Sequence, residues 1–406
     1  MKKIMNPAVA SLAFLLIALF AASSSADLKL APYYSLQLTE GAFVPNIGEW
    51  NFSMDAVSDI GVIAKPSDAS SMVAFYELKY LGPGLKREEG EKFTDRTMDH
   101  LGMFRYTYKL SDSYFVTPQV DYMKEYKRTG SNEVWGSGLY DFNRTGGAFT
   151  LGRDFPGNAV LSLTGEYHTM DFPNYTDLLT EFEAGGANAA TSVGMQNHKL
   201  TQGEIALSIG PNRVAYDLIF QNYTKQQVAS DIVQPDGSYY SSDLQKDVLT
   251  NVSVSCGQQW GIVNFGPELY YKTKRSNQNY LYFTSVNSTS VPTYFAKYYD
   301  YDEIGFSVPI TFGITDTLEF TATPEWYNKM YKYRNPQDAD GNFLMDEKQK
   351  SNMYILSAGI TIKPNAITRT TFFYTFQNQK SNMRFEQYLP YNYTANFGGV
   401  RLEYTF

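Results

Sequence analysis

Cysteine is nearly absent from this 406-residue chain, which has only Cys256. One thiol excludes a disulfide framework and a cysteine-based zinc site. Histidine is almost as scarce, with only His100, His168 and His198. Beyond the first residues there is no apolar run of the roughly 18 residues a membrane-spanning helix needs. An excess of basic charge is also missing. The formal net charge is −8, and loss of Lys2 and Lys3 with a leader takes −8 to −10, so nucleic acid is excluded as the main partner. Hydrophobic residues make up 43%, too many for a disordered chain, while a mean hydropathy of −0.35 is too polar for a helical membrane protein. The surplus is aromatic. The chain carries 33 Tyr, 27 Phe and 4 Trp, 16% of its residues.

Met1 to Ala26 has the pattern of a cleaved secretory signal peptide. Lys2 and Lys3 supply the positive start, Ala8 to Ala22 the apolar stretch, and Ser24, Ser25 and Ala26 the small residues of a cleavage site. Residues 27–406 then form one domain outside the cytoplasm.

That domain repeats one signal, apolar residues at every second position. Val214, Tyr216, Leu218 and Phe220 alternate with Arg213, Asp217 and Gln221. Val248, Val252, Val254, Cys256 and Trp260 alternate with Asp247, Asn251, Ser253, Ser255 and Gln259. Leu318, Phe320, Ala322 and Trp326 alternate with Glu319, Thr321 and Glu325. Period two is the strand repeat, because successive side chains leave opposite faces. Connections alternate as well. Short ones fall at 110–112, 155–157, 210–212, 259–261, 315–316 and 364–365. Long ones fall at 81–97, 173–198, 227–243, 276–298, 335–350 and 381–392. Aromatic residues gather near strand ends, as in Tyr106 and Tyr108, Tyr270 and Tyr271, and Trp326 and Tyr327. A transmembrane barrel has these tight turns, long outer loops and aromatic girdles.

The chain stops at Val400-Arg401-Leu402-Glu403-Tyr404-Thr405-Phe406. The alternating Val400, Leu402, Tyr404 and Phe406 resemble the C-terminal strand of Gram-negative outer-membrane β-barrel (porin-like) proteins. The resemblance covers the architecture of residues 27–406. It implies residence in the outer membrane, contact with outer-membrane lipid and lipopolysaccharide, and reading of the terminal aromatic residue by the barrel-insertion machinery. By analogy with sixteen-stranded channels, a homotrimer is an expected assembly.

The pattern predicts a closed antiparallel barrel of sixteen strands: 28–38, 48–62, 71–80, 99–110, 113–127, 138–152, 158–171, 199–210, 213–226, 244–259, 262–274, 299–314, 317–332, 352–363, 367–380 and 393–406. Fourteen is the alternative, since the first two strands carry the weakest pattern. The loop Pro173–His198 is the candidate constriction of the lumen, and within it 176–182 could open a short helix that Gly185-Gly186 ends.

Parity assigns side chains to the lumen. The acids are Asp55, Asp59, Glu77, Asp121, Glu125, Asp141, Glu166, Glu204, Asp217, Asp247, Glu268, Glu303, Glu319, Glu325 and Glu403. The bases are Lys29, Lys79, Arg105, Lys109, Arg213, Lys272, Lys274, Lys329, Arg369 and Arg401. Fifteen acids against ten bases point to a mild cation preference. His168 shares this face with Glu166 near the outer rim, a spacing that suits either an acid/base pair or a rim histidine in a polar wall. Asp99 and His100 are adjacent, so a regular strand turns them to opposite faces. Asp338-x-Asp340-Gly341 has the wrong glycine spacing for a calcium loop, and no metal or other cofactor is expected.

The leading expectation is a non-enzymatic channel for passive diffusion of ions or small hydrophilic solutes. Rival readings are a scaffold or conduit barrel for an electron-carrier protein or an exported polysaccharide, and an adhesin or receptor acting through loop Ser276–Tyr298. A hydrolase built on His168 stands behind both.

Overall fold

The computed structural model describes residues 29–84, 93–129, 133–175, 194–235, 237–283, 291–386 and 390–406. The leader Met1–Ala26 and the helix expected at 176–182 lie outside these residues. Period-two alternation becomes strands throughout. In chain order these are β1 (Lys29–Pro45), β2 (Asn51–Ser67), β3 (Ser70–Leu81), β4 (Arg96–Lys109), β5 (Tyr114–Arg128), β6 (Phe142–Phe155) and β7 (Ala159–Asp171). There follow β8 (His198–Ile209), β9 (Asn212–Ala229), β10 (Tyr240–Ser255), β11 (Gln258–Trp260), β12 (Val263–Phe265), β13 (Glu268–Ser276), β14 (Tyr280–Tyr282) and β15 (Thr293–Phe295). The last are β16 (Tyr301–Ser307), β17 (Ile310–Thr315), β18 (Leu318–Tyr331), β19 (Lys350–Ile362), β20 (Thr368–Ser381) and β21 (Tyr393–Thr405).

All but β14 and β15 belong to a single antiparallel sheet that closes on itself as a 16-strand barrel. Three of its staves are broken into two pieces each: β10/β11, β12/β13 and β16/β17. The sequence pattern reads these as continuous, and proline explains the difference. Pro267 and Pro309 have no N–H to give the ladder. Their carbonyls still accept, from the Cys256 amide at 3.0 Å and the Gly266 amide at 3.0 Å. The Val308 amide likewise donates to the Pro324 carbonyl at 3.0 Å. Beside them Gly257 has no room for a side chain, since a Cβ there would lie 2.7 Å from Pro211 Cβ.

Closure joins the first strand to the last. Residues Ser35 to Pro45 of β1 pair with Thr405 back to Ala395 of β21. The Phe406 amide donates to the Tyr34 carbonyl at 2.9 Å, and the Tyr34 amide returns a bond to Phe406 at 3.1 Å. The barrel therefore has no open edge to leave backbone groups unpaired in lipid. β1 and β2 are also longer than their sequence pattern suggests, at 17 residues each.

Neighbouring rows show what each face needs. Leu163, Ile205, Tyr216, Val252 and Tyr271 stand side by side across five staves, each more than two-fifths exposed. A contiguous apolar band of this kind needs an apolar solvent. One residue further along, Thr164, Glu204, Asp217, Asn251, Lys272, Glu303 and Lys329 form the adjacent row on the other face. Apolar faces out and polar faces in.

Deleting Phe406 removes both bonds to Tyr34. The expected loss is about 1–3 kcal/mol of barrel stability, with a lower folded yield after reconstitution. Heat-modifiable gel mobility and urea unfolding in micelles measure both effects.

Candidate functional site: the inner wall and its mouth

Cross-strand pairing decides which polar groups meet on the inner face. Arg213 Nη2 lies 2.7 Å from Glu204, and Lys272 and Lys329 flank Glu303 at 3.7 and 3.5 Å. Lys363 binds Glu319, and the Tyr327 hydroxyl donates to Glu325. Asp217 accepts from Asn251 at 3.1 Å, and Arg105 donates twice to Gln119. Arg369 stands opposite Glu403. Arg401 reaches the Thr39 hydroxyl at 3.3 Å and lies over the Phe373 ring. Glu166 faces Ala148 and Gln202, and Glu268 faces Ser255 and Ser307. Between these charges, hydroxyls pair across strands, as in Thr150–Thr164 and Thr361–Thr371. Val400, Leu402 and Tyr404 belong to β21 on its outward face, and Leu402 is 51% exposed.

His168 does not pair with Glu166 as its spacing suggests. Its Nε2 lies 3.1 Å from Asp121, whose other oxygen accepts from Arg144 at 3.1 Å. Register explains the change of partner. Asp121, Gly146 and His168 form one row across β5, β6 and β7. Gly146 leaves a gap through which the imidazole reaches the carboxylate two strands away. A Cβ there would sit 2.6 Å from His168 Cδ2 and 2.1 Å from the Tyr167 carbonyl. The row sets His168, near the Asp171 end of β7, opposite the middle of β5. Tyr270 uses the same device, its ring lying over Gly305 towards Tyr327. Arg144 escaped the sequence reading because only strand register brings it to Asp121.

Asp99 and His100 do part company. Asp99 stands opposite Glu125 on the inner face, while the Tyr76 hydroxyl meets His100 Nδ1 at 2.6 Å on the outer. Asp59 likewise stands opposite Glu77. Among the described residues Asp247 is the most enclosed acid, 1% exposed. Lys274 at 2.8 Å, Ser276 at 2.6 Å and Gln245 at 3.1 Å satisfy it.

Loops meet over the long-loop end. Gln278 accepts from the Ala229 amide at 2.9 Å and donates to the Gln227 carbonyl at 2.8 Å, tying the β13–β16 connection to β9. The hairpin β14–β15 packs its Phe295 and Tyr282 on Phe343 of the 332–349 loop, at 4.4 and 5.0 Å. Between loops and wall lies a cavity of about 320 Å³ lined by Tyr223, Lys274, Tyr280 and Tyr299, among others. Of the segment 173–198, the described ends fold onto their neighbours. The Asn174 side chain donates to the Gly138 carbonyl at 3.1 Å, and the Thr224 amide to the Asn197 carbonyl at 2.9 Å. The Asp338 carboxylate is spent on its own turn, accepting from the Asp340 and Asn342 amides at 3.0 and 2.9 Å. Those bonds, led by Asn342, hold its carboxyl below the usual carboxylate range.

A closed antiparallel cylinder with an apolar outer belt and a charged inner wall is an outer-membrane β-barrel. Among solved structures the chain is similar to OmpT, an outer membrane protein of Vibrio cholerae, at 12% identity and a TM-score of 0.47, covering 94% of this chain and 99% of that one. It is also similar to an anion-selective porin from Comamonas acidovorans at 9% identity and 0.44, covering 94% and 100%. OccK2 of Pseudomonas aeruginosa matches at 10% identity and 0.41, covering 92% and 98%. No family model and no curated protein matches the chain. The class therefore rests on the chain's own closed sheet and apolar belt.

Gly146→Ala is expected to push β6 from β7 and break the His168–Asp121 contact. A loss of about 1–3 kcal/mol should follow, read by urea unfolding in micelles. For Asp338, folding lowers the carboxyl pKa. Its contribution is therefore complete above the ordinary 3.8 and fades only as pH falls through the lower folded value. Carbon-detected NMR should place the Asp338 midpoint below 3.8, and Asn342→Ala should move it back up.

Proposed function

We propose that the chain is a porin-like channel for passive diffusion of ions or small hydrophilic solutes. The observation that carries this reading is the polar row across seven neighbouring staves, from Thr164 through Glu204, Asp217, Asn251, Lys272 and Glu303 to Lys329. It lies one residue from the lipid-facing row and on the opposite side of the wall. A wall of water-soluble groups inside a cylinder of this strand number favours a wet lumen over a packed one. The charged inner positions named above are assigned to the lining of that path. The hairpin β14–β15 with the 332–349 loop is assigned to its outer narrowing, alongside Pro173–His198.

No catalysis is assigned. His168 is assigned instead to the wall, where it meets Asp121 beside Arg144. A mild cation preference is assigned to β2–β5, where Asp59 stands opposite Glu77 and Asp99 stands between Glu125 and Lys79, leaving more acids than bases in that stretch of wall.

Planar-bilayer recording tests the reading. Discrete conductance steps are expected from the purified chain, with larger steps once residues 280–295 are replaced by a short flexible link. A salt gradient should give a cation-signed reversal potential that Glu77→Gln with Glu125→Gln moves towards zero. Silent bilayers with correctly folded protein would refute the channel.

A further inference from the structure

Charge on the lipid-facing side of the barrel is confined largely to one end and is mostly of one sign. At the long-loop end of β4 and β5, Arg96 stands directly opposite Arg128, and His100 opposite Lys124. These share the face of Val120, which is 53% exposed. Further round, the same face and end carry Lys199 and Lys246, which flank Asn222, and then Lys350 and Lys380. Of the acids on this face, Glu40 stands between Met54 and Val400, and two others are engaged. Asp302 lies between Arg275 at 2.5 Å and Lys332 at 3.3 Å, and Asp171 accepts from Asn197 at 3.1 Å. The short-turn end of this face has Arg153, set between the Tyr114 and Phe155 rings. A chain of net charge −8 has not inherited a basic rim from its composition.

We propose that the outward rim of β4–β5 binds the phosphate groups of an anionic lipid in the surrounding leaflet. Bases cost ~2–4 kcal/mol at the bilayer midplane and little near the interface, so this row marks the headgroup level. Like charges directly opposite on a sheet repel, and a shared anion converts that repulsion into attraction. Arginine forks match phosphate oxygens in pairs. The Arg128 guanidinium lies over Trp135 at 5.1 Å and Lys124 over Tyr126 at 4.8 Å, so rings hold both cations beside the belt. Lys124 lies four residues below Arg128, about 13 Å along the strand. A headgroup with two phosphates can therefore engage the arginine pair and the lysine together.

The test uses the folded full chain in neutral micelles, titrated with bis-phosphorylated lipid A, dephosphorylated lipid A, or inorganic phosphate. Tryptophan emission and thermal shift report binding. Bis-phosphorylated lipid should bind more tightly than its phosphate-free form. The combined Arg96→Gln, Lys124→Gln, Arg128→Gln variant should bind it more weakly by on the order of 100-fold, with heat-modifiable mobility unchanged. If the triple variant fails to fold, Arg96→Gln and Lys124→Gln alone should each weaken binding by about fivefold. Unchanged affinity in folded variants would overturn the proposal, as would equal binding of the phosphate-free lipid. Inorganic phosphate binding as tightly as the lipid would replace it with a small-anion site.

Discussion

No amide or carbonyl of a strand in hydrocarbon can be left without a partner, because each costs several kcal/mol there. The meeting of β1 with β21 answers this constraint, and the rest of the protein depends on it. Once Tyr34 and Phe406 exchange their two bonds, every stave has two neighbours and the wall separates an apolar side from a wet one. The terminal aromatic residue is therefore a structural element of the seam as well as the end of the chain.

Inside, the wall is organised by gaps as much as by charges. Gly146 lets an imidazole reach a carboxylate across a whole strand, and Gly305 lets Tyr270 lie flat towards Tyr327. Cross-strand pairs then fix the long side chains against the wall. Asp247, enclosed by Lys274, Ser276 and Gln245, shows how a nearly fully buried charge is tolerated when each oxygen is bonded.

Much of this was legible in the sequence because a strand repeats every two residues and a closed wall has two unlike solvents. Parity alone set Val214 and Tyr216 against Arg213 and Asp217, and loop lengths gave the strand number. Partners were not legible. His168 and Glu166 share a face, yet the register across β6, with Gly146 between, gives the histidine to Asp121. The broken staves were equally hidden, because Pro267 and Pro309 sit in runs whose alternation is otherwise unblemished. The mouth depends on contacts between distant loops, such as Phe295 on Phe343, which no local pattern encodes.

The prolines at 267, 309 and 324 have a mechanical consequence. They lie at neighbouring levels of adjacent staves, each accepting a bond it cannot return. Along that diagonal the wall has fewer ties per unit length than on the side of β6–β8, where the ladders run unbroken. A squeeze from the bilayer would be taken up there, turning a round cross-section oval while the β1–β21 seam keeps its spacing.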